Sequence, residues 1–310
     1  MTLRDKINWH YWEFIKHHYP FFWSKHLSRK ILGKTTDYSC PKNLNEKIQW
    51  LMFFTDTSLW TILADKYAVR EHVRDCIGEK YLIPLLGHWT NVTEIDFDKL
   101  PRKFVMKPNN GSYDAIICQD KDSADYDNIR LKMDYSLKHK FGYENAEPHY
   151  LDIPPCIIAE EMLETTSEGG LIDYKIWCFN GNPFGIFIVA NRDRVNHKAD
   201  FVFYDLNWNK QNDYLTSEFR SDFNCPKPEN LDEMLDIASK LSRGLPQARI
   251  DLYNINGQIY FGEITLSSNF GMMPYFTSEA LAEMGQLVKL PNRSFKEVIT
   301  SLSKRWLPRI

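Results

Sequence analysis

Between residues 44 and 54 the apolar positions Leu44, Ile48, Leu51 and Met52 recur at helical spacing behind Pro41 and Asn43, which predicts a helix with one buried face. Val69, Val73, Cys76 and Ile77 predict a second helix over 65–77. From about Tyr81 the texture changes to short apolar runs bounded by Pro, Gly and Asn. Residues 81–86, 103–107, 115–119, 157–162, 172–180, 184–190 and 200–204 predict strands, with 172–180 and 184–190 joined at Asn180-Gly181-Asn182. A polar helix is expected over 125–139. Another is expected over 229–243, striped by Leu231, Met234, Leu235, Ile237, Ala238 and Leu241 and ended by Gly244. Further helices are expected near 278–287 and 295–303. Strand pairs alternating with helices predict an α+β fold rather than a doubly wound sheet. No internal repeat or low-complexity linker interrupts the chain.

Residues 249–265, Arg-Ile-Asp-Leu-Tyr-Asn-Ile-Asn-Gly-Gln-Ile-Tyr-Phe-Gly-Glu-Ile-Thr, predict two strands joined at Asn256-Gly257. A two-residue turn would pair Asp251 with Gly262 and put the two acids on opposite faces. A three-residue loop, 255–257 with Gly257 in the bulge position, would pair Arg249 with Glu263. Arg249, Asp251, Glu263 and Thr265 would then share one face. The second register is expected. Two carboxylates beside one arginine, without a basic partner for each, suggest a Mg²⁺ site holding a phosphate; a solvated sheet surface is the plainer alternative.

The 310 residues suffice for one or two domains with a sizeable core. Hydrophobic residues make up 43% and charged residues 25%, whereas the aromatic share of 14% is high. A net charge of −3 gives no global attraction to nucleic acid or to an anionic membrane. The longest apolar run, 184–190, is far short of the roughly 18 residues of a membrane span. The charged, aromatic first thirty residues do not read as a cleavable signal. Six cysteines without a Cys-x-x-Cys pair suit a reducing cytosol, and no His-Glu-x-x-His is present, so zinc is not expected.

Three other segments carry candidate chemistry. In 103–116 a strand lysine, Lys107, runs into Pro-Asn-Asn-Gly-Ser; Gly111 permits close backbone approach to a phosphate, and Lys107 adds a charge. A structural loop lysine is the competing reading, since neither a P-loop nor a Gly-x-Gly-x-x-Gly pattern is present. In 157–163 a strand with Glu160-Glu161 ends at Met162-Leu163, as an adenine-binding hinge would; an edge strand with exposed acids is the alternative. The loop 190–200 carries Arg192, Arg194, His197 and Lys198, suited to an anionic substrate or to a solvated loop.

The order of these parts is similar to the ATP-grasp superfamily: Asp65-Lys66, Lys107-Pro with its Gly-Ser loop, Glu160-Glu161-Met162-Leu163, Asp173-Tyr-Lys175, Arg249-Ile-Asp251, Glu263-Ile-Thr265. More closely, the chain resembles the TupA-like ATP-grasp family, named for teichuronopeptide biosynthesis. That resemblance spans about 44–291 and rests on Leu44-Asn-Glu-Lys-Ile-Gln-Trp50, Asp173-Tyr-Lys-Ile-Trp-Cys-Phe-Asn-Gly181, Arg249-Ile-Asp-Leu-Tyr253, Ile259-Tyr-Phe-Gly-Glu-Ile-Thr265 and Leu290-Pro291. It implies two α+β lobes clasping ATP, 61–155 and 156–310, after a helical segment 1–60. Lys66 and Lys107 would contact ATP phosphates, with Asn110, Gly111 and Ser112 in the loop over them. Glu160 would face the adenine amino group, the backbone of Glu161, Met162 and Leu163 the ring edge, and Asp173 the ribose. Asp251 and Glu263 would bind Mg²⁺, and Arg249 would face the transferred phosphoryl, with Lys175 a further phosphate or substrate candidate. Thr265 departs from the asparagine usual after the second metal carboxylate, with Asn269 nearby. Arg192, Arg194, His197 and Asn269 are the substrate candidates.

The resemblance implies a carboxylate–amine ligase using ATP and Mg²⁺ through an acyl phosphate. Its expected substrates are an amine and a small-molecule or saccharide carboxylate, such as a uronic acid of a bacterial surface polysaccharide. The alternatives are a sugar phosphotransferase and a non-catalytic ATP-binding subunit of a polysaccharide assembly complex. No nucleic-acid partner is expected. Residues 1–36 interleave eight aromatics with a net charge of +5. Packing of Trp9, Trp12, Phe14 and Phe21-Phe22-Trp23 onto the domain is the favoured reading. The other is an amphipathic surface for an anionic membrane or an assembly partner, which would place a cytoplasmic protein at the inner membrane face.

Overall fold

The computed structural model describes residues 2–112, 114–165, 169–193, 196 and 198–292. The expected helix near 295–303, together with Tyr113, Arg194 and His197, lies outside them. The main helices are α1 (Leu3–His18), α2 (Pro20–Leu32), α3 (Leu44–Phe54), α4 (Ser58–Ala64), α5 (Val69–Ile77), α6 (Tyr126–Lys138), α7 (Leu231–Leu241) and α8 (Ser278–Leu287). Asn43 and Glu46 form a reciprocal capping box that starts α3 where the spacing predicts. The second helix starts later than expected. The Asp65 carboxylate accepts from the N–H groups of Tyr67 and Ala68, so Asp65 and Lys66 belong to a turn before Val69.

Two antiparallel sheets carry the α+β fold. The smaller orders its strands β1-β4-β2-β3, from β1 (Leu85–Trp89), β2 (Phe104–Pro108), β3 (Ile116–Cys118) and β4 (Ile157–Glu161). The run at 81–86 is therefore mostly not strand: Glu79–Tyr81 is a 3₁₀ turn. The larger sheet orders β7-β6-β5-β8-β9, from β5 (Asp173–Phe179), β6 (Asn182–Asp193), β7 (Lys198–Tyr204), β8 (Gln247–Ile255) and β9 (Gln258–Thr265). Because β4 pairs with both β1 and β2, we place the boundary between the lobes after Glu161 rather than at 155.

Alternation gives the larger sheet two different faces. Ile176, Cys178, Ile250 and Leu252 point to the side covered by α7, where the Cys178 thiol approaches the Ala238 carbonyl. Asp173, Lys175 and Trp177 point to the other side, with Arg249 and Asp251 from the neighbouring strand. The helices α3 and α4 join the same core as this sheet, so 1–60 is not a separate layer.

The β8–β9 hairpin adopts neither register weighed above. Its turn has two residues, with positive φ at Asn256 (51°) and Gly257 (84°), and Ile255 pairs with Gln258. A bulge between Asp251 and Leu252 absorbs Gly262 on β9, so Asp251 pairs with Glu263 and Arg249 with Thr265. The expected single face is reached by the bulge instead of by the loop. Glycine relieves crowding there, since a Cβ on residue 262 would lie 3.0 Å from the Asp251 carbonyl oxygen.

The N-terminal segment divides. Phe21 packs against Phe53 and Phe54, Trp23 donates its indole N–H to the Glu144 carbonyl at 2.8 Å, and Trp12 lies against His26 and Trp23. Trp9, Phe14 and Phe22 are more than half exposed, contrary to their expected packing.

Candidate active site

The β5, β8 and β9 strands place a dense charged cluster on one face. Arg249, riding on the fully buried Trp177, donates Nε to Asp251 Oδ1 at 2.7 Å. Its terminal nitrogens reach Asp251 Oδ2 (2.8 Å), Glu263 Oε1 (3.0 Å), Thr265 Oγ1 (3.0 Å) and Ser268 Oγ (3.2 Å). Lys175 pairs with Asp251 and lies 3.9 Å from Asp173. Asp251 thus has two basic partners, which corrects the expectation of acids lacking them. Asp251 is buried, while the Glu263 side chain keeps 41% exposure and faces the opening. Burial pushes the Asp251 carboxyl up against the pull of Arg249 and Lys175. For Glu263 burial acts in the same sense, but Arg249, Lys175 and Lys66 outweigh it and hold the carboxyl at about 2. Both acids side by side with a threonine hydroxyl form an all-oxygen donor set, which fits Mg²⁺ completed by phosphate and water. Among the described residues no group of three or more His, Cys, Asp or Glu could hold a metal unaided.

The smaller sheet supplies the other half. Lys107 from β2 pairs with Glu160 Oε2 from β4 at 2.6 Å, and Arg70 from α5 takes Oε1 at 2.9 Å. Lys66, expected at the ATP phosphates, donates to the Gly111 carbonyl and so braces the Gly-Ser loop expected to cover them. Burial lowers the Lys66 pKa; Glu263, Asp65 and Glu160 oppose this and Lys107 adds to it. Lys66 therefore feels the charges of acids from both sheets, Glu160 and Glu263, while its own hydrogen bond goes to the loop. Asn109 locks the base of the loop: its side chain bonds Asp65, the Pro154 carbonyl and the Cys156 N–H. Asn110 and Gly111 are buried and Ser112 is half-buried beside them.

Several expected contacts are already taken within the protein. Each Glu160 oxygen already takes one cation, Oε1 from Arg70 and Oε2 from Lys107, and Arg70 was not anticipated. The Glu161 N–H donates to the Pro84 carbonyl, leaving Met162 and Leu163 as the half-buried hinge that follows. Asp173 is bound by Arg192 Nε at 2.9 Å, so Arg192 reaches the expected ribose acid although its side chain stays exposed. Asn269 donates to the Met272 carbonyl at 2.5 Å and, like Phe270, has positive φ, which bends the loop after β9 sharply.

That loop reaches a buried cluster the sequence did not reveal. Ser267 donates to Glu147 Oε1 at 2.5 Å and lies 3.3 Å from His149 Nε2. Burial raises the Glu147 carboxyl to about 7, with Ser267 and Asn145 opposing. A carboxyl whose pKa is higher folded than unfolded weakens the fold as pH climbs from the unfolded value through about 7. Glu147→Gln, which cannot ionise, is expected to lose less stability between pH 5 and pH 8 than the wild type. The difference in unfolding free energy should approach ~3 kcal/mol. Denaturant melts at the two pH values check this; parallel losses would mean Glu147 does not titrate in that window.

A buried arginine, paired acids and several lysines thus gather on the two antiparallel sheets. The sequence matches the TupA-like ATPgrasp family over residues 46–289, and the chain belongs to that family. No curated protein matches the sequence. Similar solved structures include a D-alanine–D-alanine ligase from Bacillus anthracis complexed with ATP (18% identity, TM-score 0.41, 79% of this chain and 66% of that one). Others are the ATP-grasp ligase PsnB complexed with a minimal precursor (11%, 0.42, 76% and 62%) and the N5-carboxyaminoimidazole synthetase from Staphylococcus aureus complexed with ADP (14%, 0.44, 82% and 61%). The chain spans less than two thirds of the length of each of these three.

Proposed function

We propose that the chain is an ATP-dependent carboxylate–amine ligase. The observation that supports this best is the joining of Lys175, Arg249, Asp251, Glu263 and Thr265 on one sheet face. A charged, partly buried site of this kind stabilises negative charge that builds during phosphoryl transfer. Lys66, Lys107 and the loop of Asn110, Gly111 and Ser112 bind the phosphates; Glu160, Met162 and Leu163 receive the adenine and Asp173 the ribose. Asp251, Glu263 and Thr265 would hold Mg²⁺, which supplies charge neutralisation at the phosphates. Arg249 orients the γ-phosphoryl.

A substrate carboxylate oxygen attacks the γ-phosphorus as the bond to the ADP oxygen breaks, giving an acyl phosphate. The amine then attacks the acyl carbon, phosphate leaves, and the amine loses a proton. Family membership suggests a saccharide carboxylate of a surface polymer as acceptor and an amino acid as amine, with Arg192 and Asn269 near it. It also suggests a site of work at the inner membrane face. Among the described residues no helix is long and apolar enough to cross a membrane. With ATP, Mg²⁺ and uronic-acid candidates but no amine, hydroxylamine should trap a hydroxamate detectable by mass. A phosphorylated sugar without hydroxamate would favour a phosphotransferase instead.

A further inference from the structure

We infer that the outer face of the α1–α2 helical pair seats on an anionic lipid surface. Ile7, Tyr11 and Phe14 recur at i, i+4 and i+7 along α1, and each is more than half exposed. The strip continues round the corner between the helices, because Tyr19 bridges Phe14 and Phe22 at ring separations of 5.9 and 6.2 Å. Phe22 is 57% exposed although its neighbours Phe21 and Trp23 are packed inward. Aromatic and aliphatic side chains held out from a packed scaffold in this way can enter the headgroup layer without unfolding anything.

The charges around the strip select the lipid. Lys6, Arg29 and Lys30 are exposed and form no ion pair among the described residues, and Arg29 lies seven residues beyond Phe22 on the same helical face. Lys30 and Arg29, after burial, also push the His26 pKa down, which marks a local positive field. The acids of α1 are already engaged: Asp5 caps the helix through Thr2, and Glu13 pairs with Lys16 and His17. Helix α2 contains no acid. A second copy of the chain would bring +5 against +5. Residues 293–310 carry a net +4 and would meet the same repulsion. An anionic bilayer complements both the apolar strip and its basic rim, each surface cation strengthening attachment about fivefold.

The test uses the full chain with vesicles of phosphatidylcholine alone or with about a third phosphatidylglycerol. The wild type should sediment with the anionic vesicles only, and 0.5 M salt should release it. Phe14→Ser/Phe22→Ser and Arg29→Glu/Lys30→Glu should each weaken sedimentation at least tenfold while thermal melting and ATP binding stay unchanged. No sedimentation of the wild type, equal binding to neutral vesicles, or unaltered binding by both variants would overturn the inference. So would a wild-type dimer that ignores vesicles and becomes monomeric on Phe14→Ser/Phe22→Ser. No substrate is present, so the result is independent of the ligase reaction.

Discussion

Asp251→Asn is expected to cut ADP formation at least a thousandfold, a loss of about 4 kcal/mol in transition-state stabilisation. The carboxylate receives Nε and a terminal nitrogen of Arg249 and the ammonium of Lys175. The amide keeps the shape and one acceptor but removes the charge, leaving two buried cations with only Glu263 beside Arg249 and the more distant Asp173 beside Lys175 as counter-charges. The same change should destabilise the fold by roughly 3 kcal/mol, as breaking a buried ion pair does. Arg249→Met supplies the complementary case, since it frees Asp251 and Glu263 from the arginine while Lys175 still holds Asp251. Coupled ADP release and denaturant melts on both variants separate chemistry from folding. Wild-type turnover in folded Asp251→Asn would remove this carboxylate from the reaction.

Gln49→Leu should lower the melting temperature by on the order of 10 °C. The Gln49 carbonyl oxygen, fully buried, receives the hydroxyls of Tyr38 (2.7 Å), Thr36 (2.9 Å), Ser24 (3.2 Å) and Ser28 (3.3 Å). Its amide donates to the Gly271 carbonyl at 2.8 Å, which fixes its orientation. Two lone pairs cannot serve four donors fully; the Ser28–Thr36 and Ser24–Tyr38 contacts give some of them another acceptor. Leucine fills similar space and orphans all of these groups together. Since the Gly271 loop also carries Ser268 against Arg249, turnover at permissive temperature should fall in both Gln49→Leu and Gln49→Glu, because neither keeps the amide donor to the Gly271 carbonyl. A melting temperature within a degree or two of wild type would show that water replaces the network.

Local signals in the sequence predicted what local physics determines. The bounds of α3 follow from apolar spacing behind Asn43, α8 lies where a helix was expected near 278–287, and Asn256-Gly257 marks the turn. The shared face of Arg249, Asp251, Glu263 and Thr265 was legible, but its register was not. Gly262 inside the strand was the available sign of a bulge, and turn length alone could not place it. Other features needed tertiary contacts. The Arg70–Glu160 pair joins residues 90 apart, and Glu147 meets Ser267 across 120. No periodicity encodes either. Pairing Asp251 with Lys175 depends on β5 lying beside β8, a neighbour relation between strands far apart in the chain.

The insertion of β4 into the smaller sheet has a consequence for synthesis. Strand β1 hydrogen-bonds to β4 alone, and Leu85 waits for Glu160, 75 positions later. On a ribosome adding about 5–20 residues per second, the β2–β3 hairpin can form while β1 remains an unpaired edge for several seconds. Closure of so long a loop is slow, and the open edge is where a nascent chain can be captured by chaperones or by another strand. A ribosome stalled just before β4 has emerged would expose that edge indefinitely. Release of a few more residues, enough to deliver β4, should bring abrupt protection of β1 and β2 from protease.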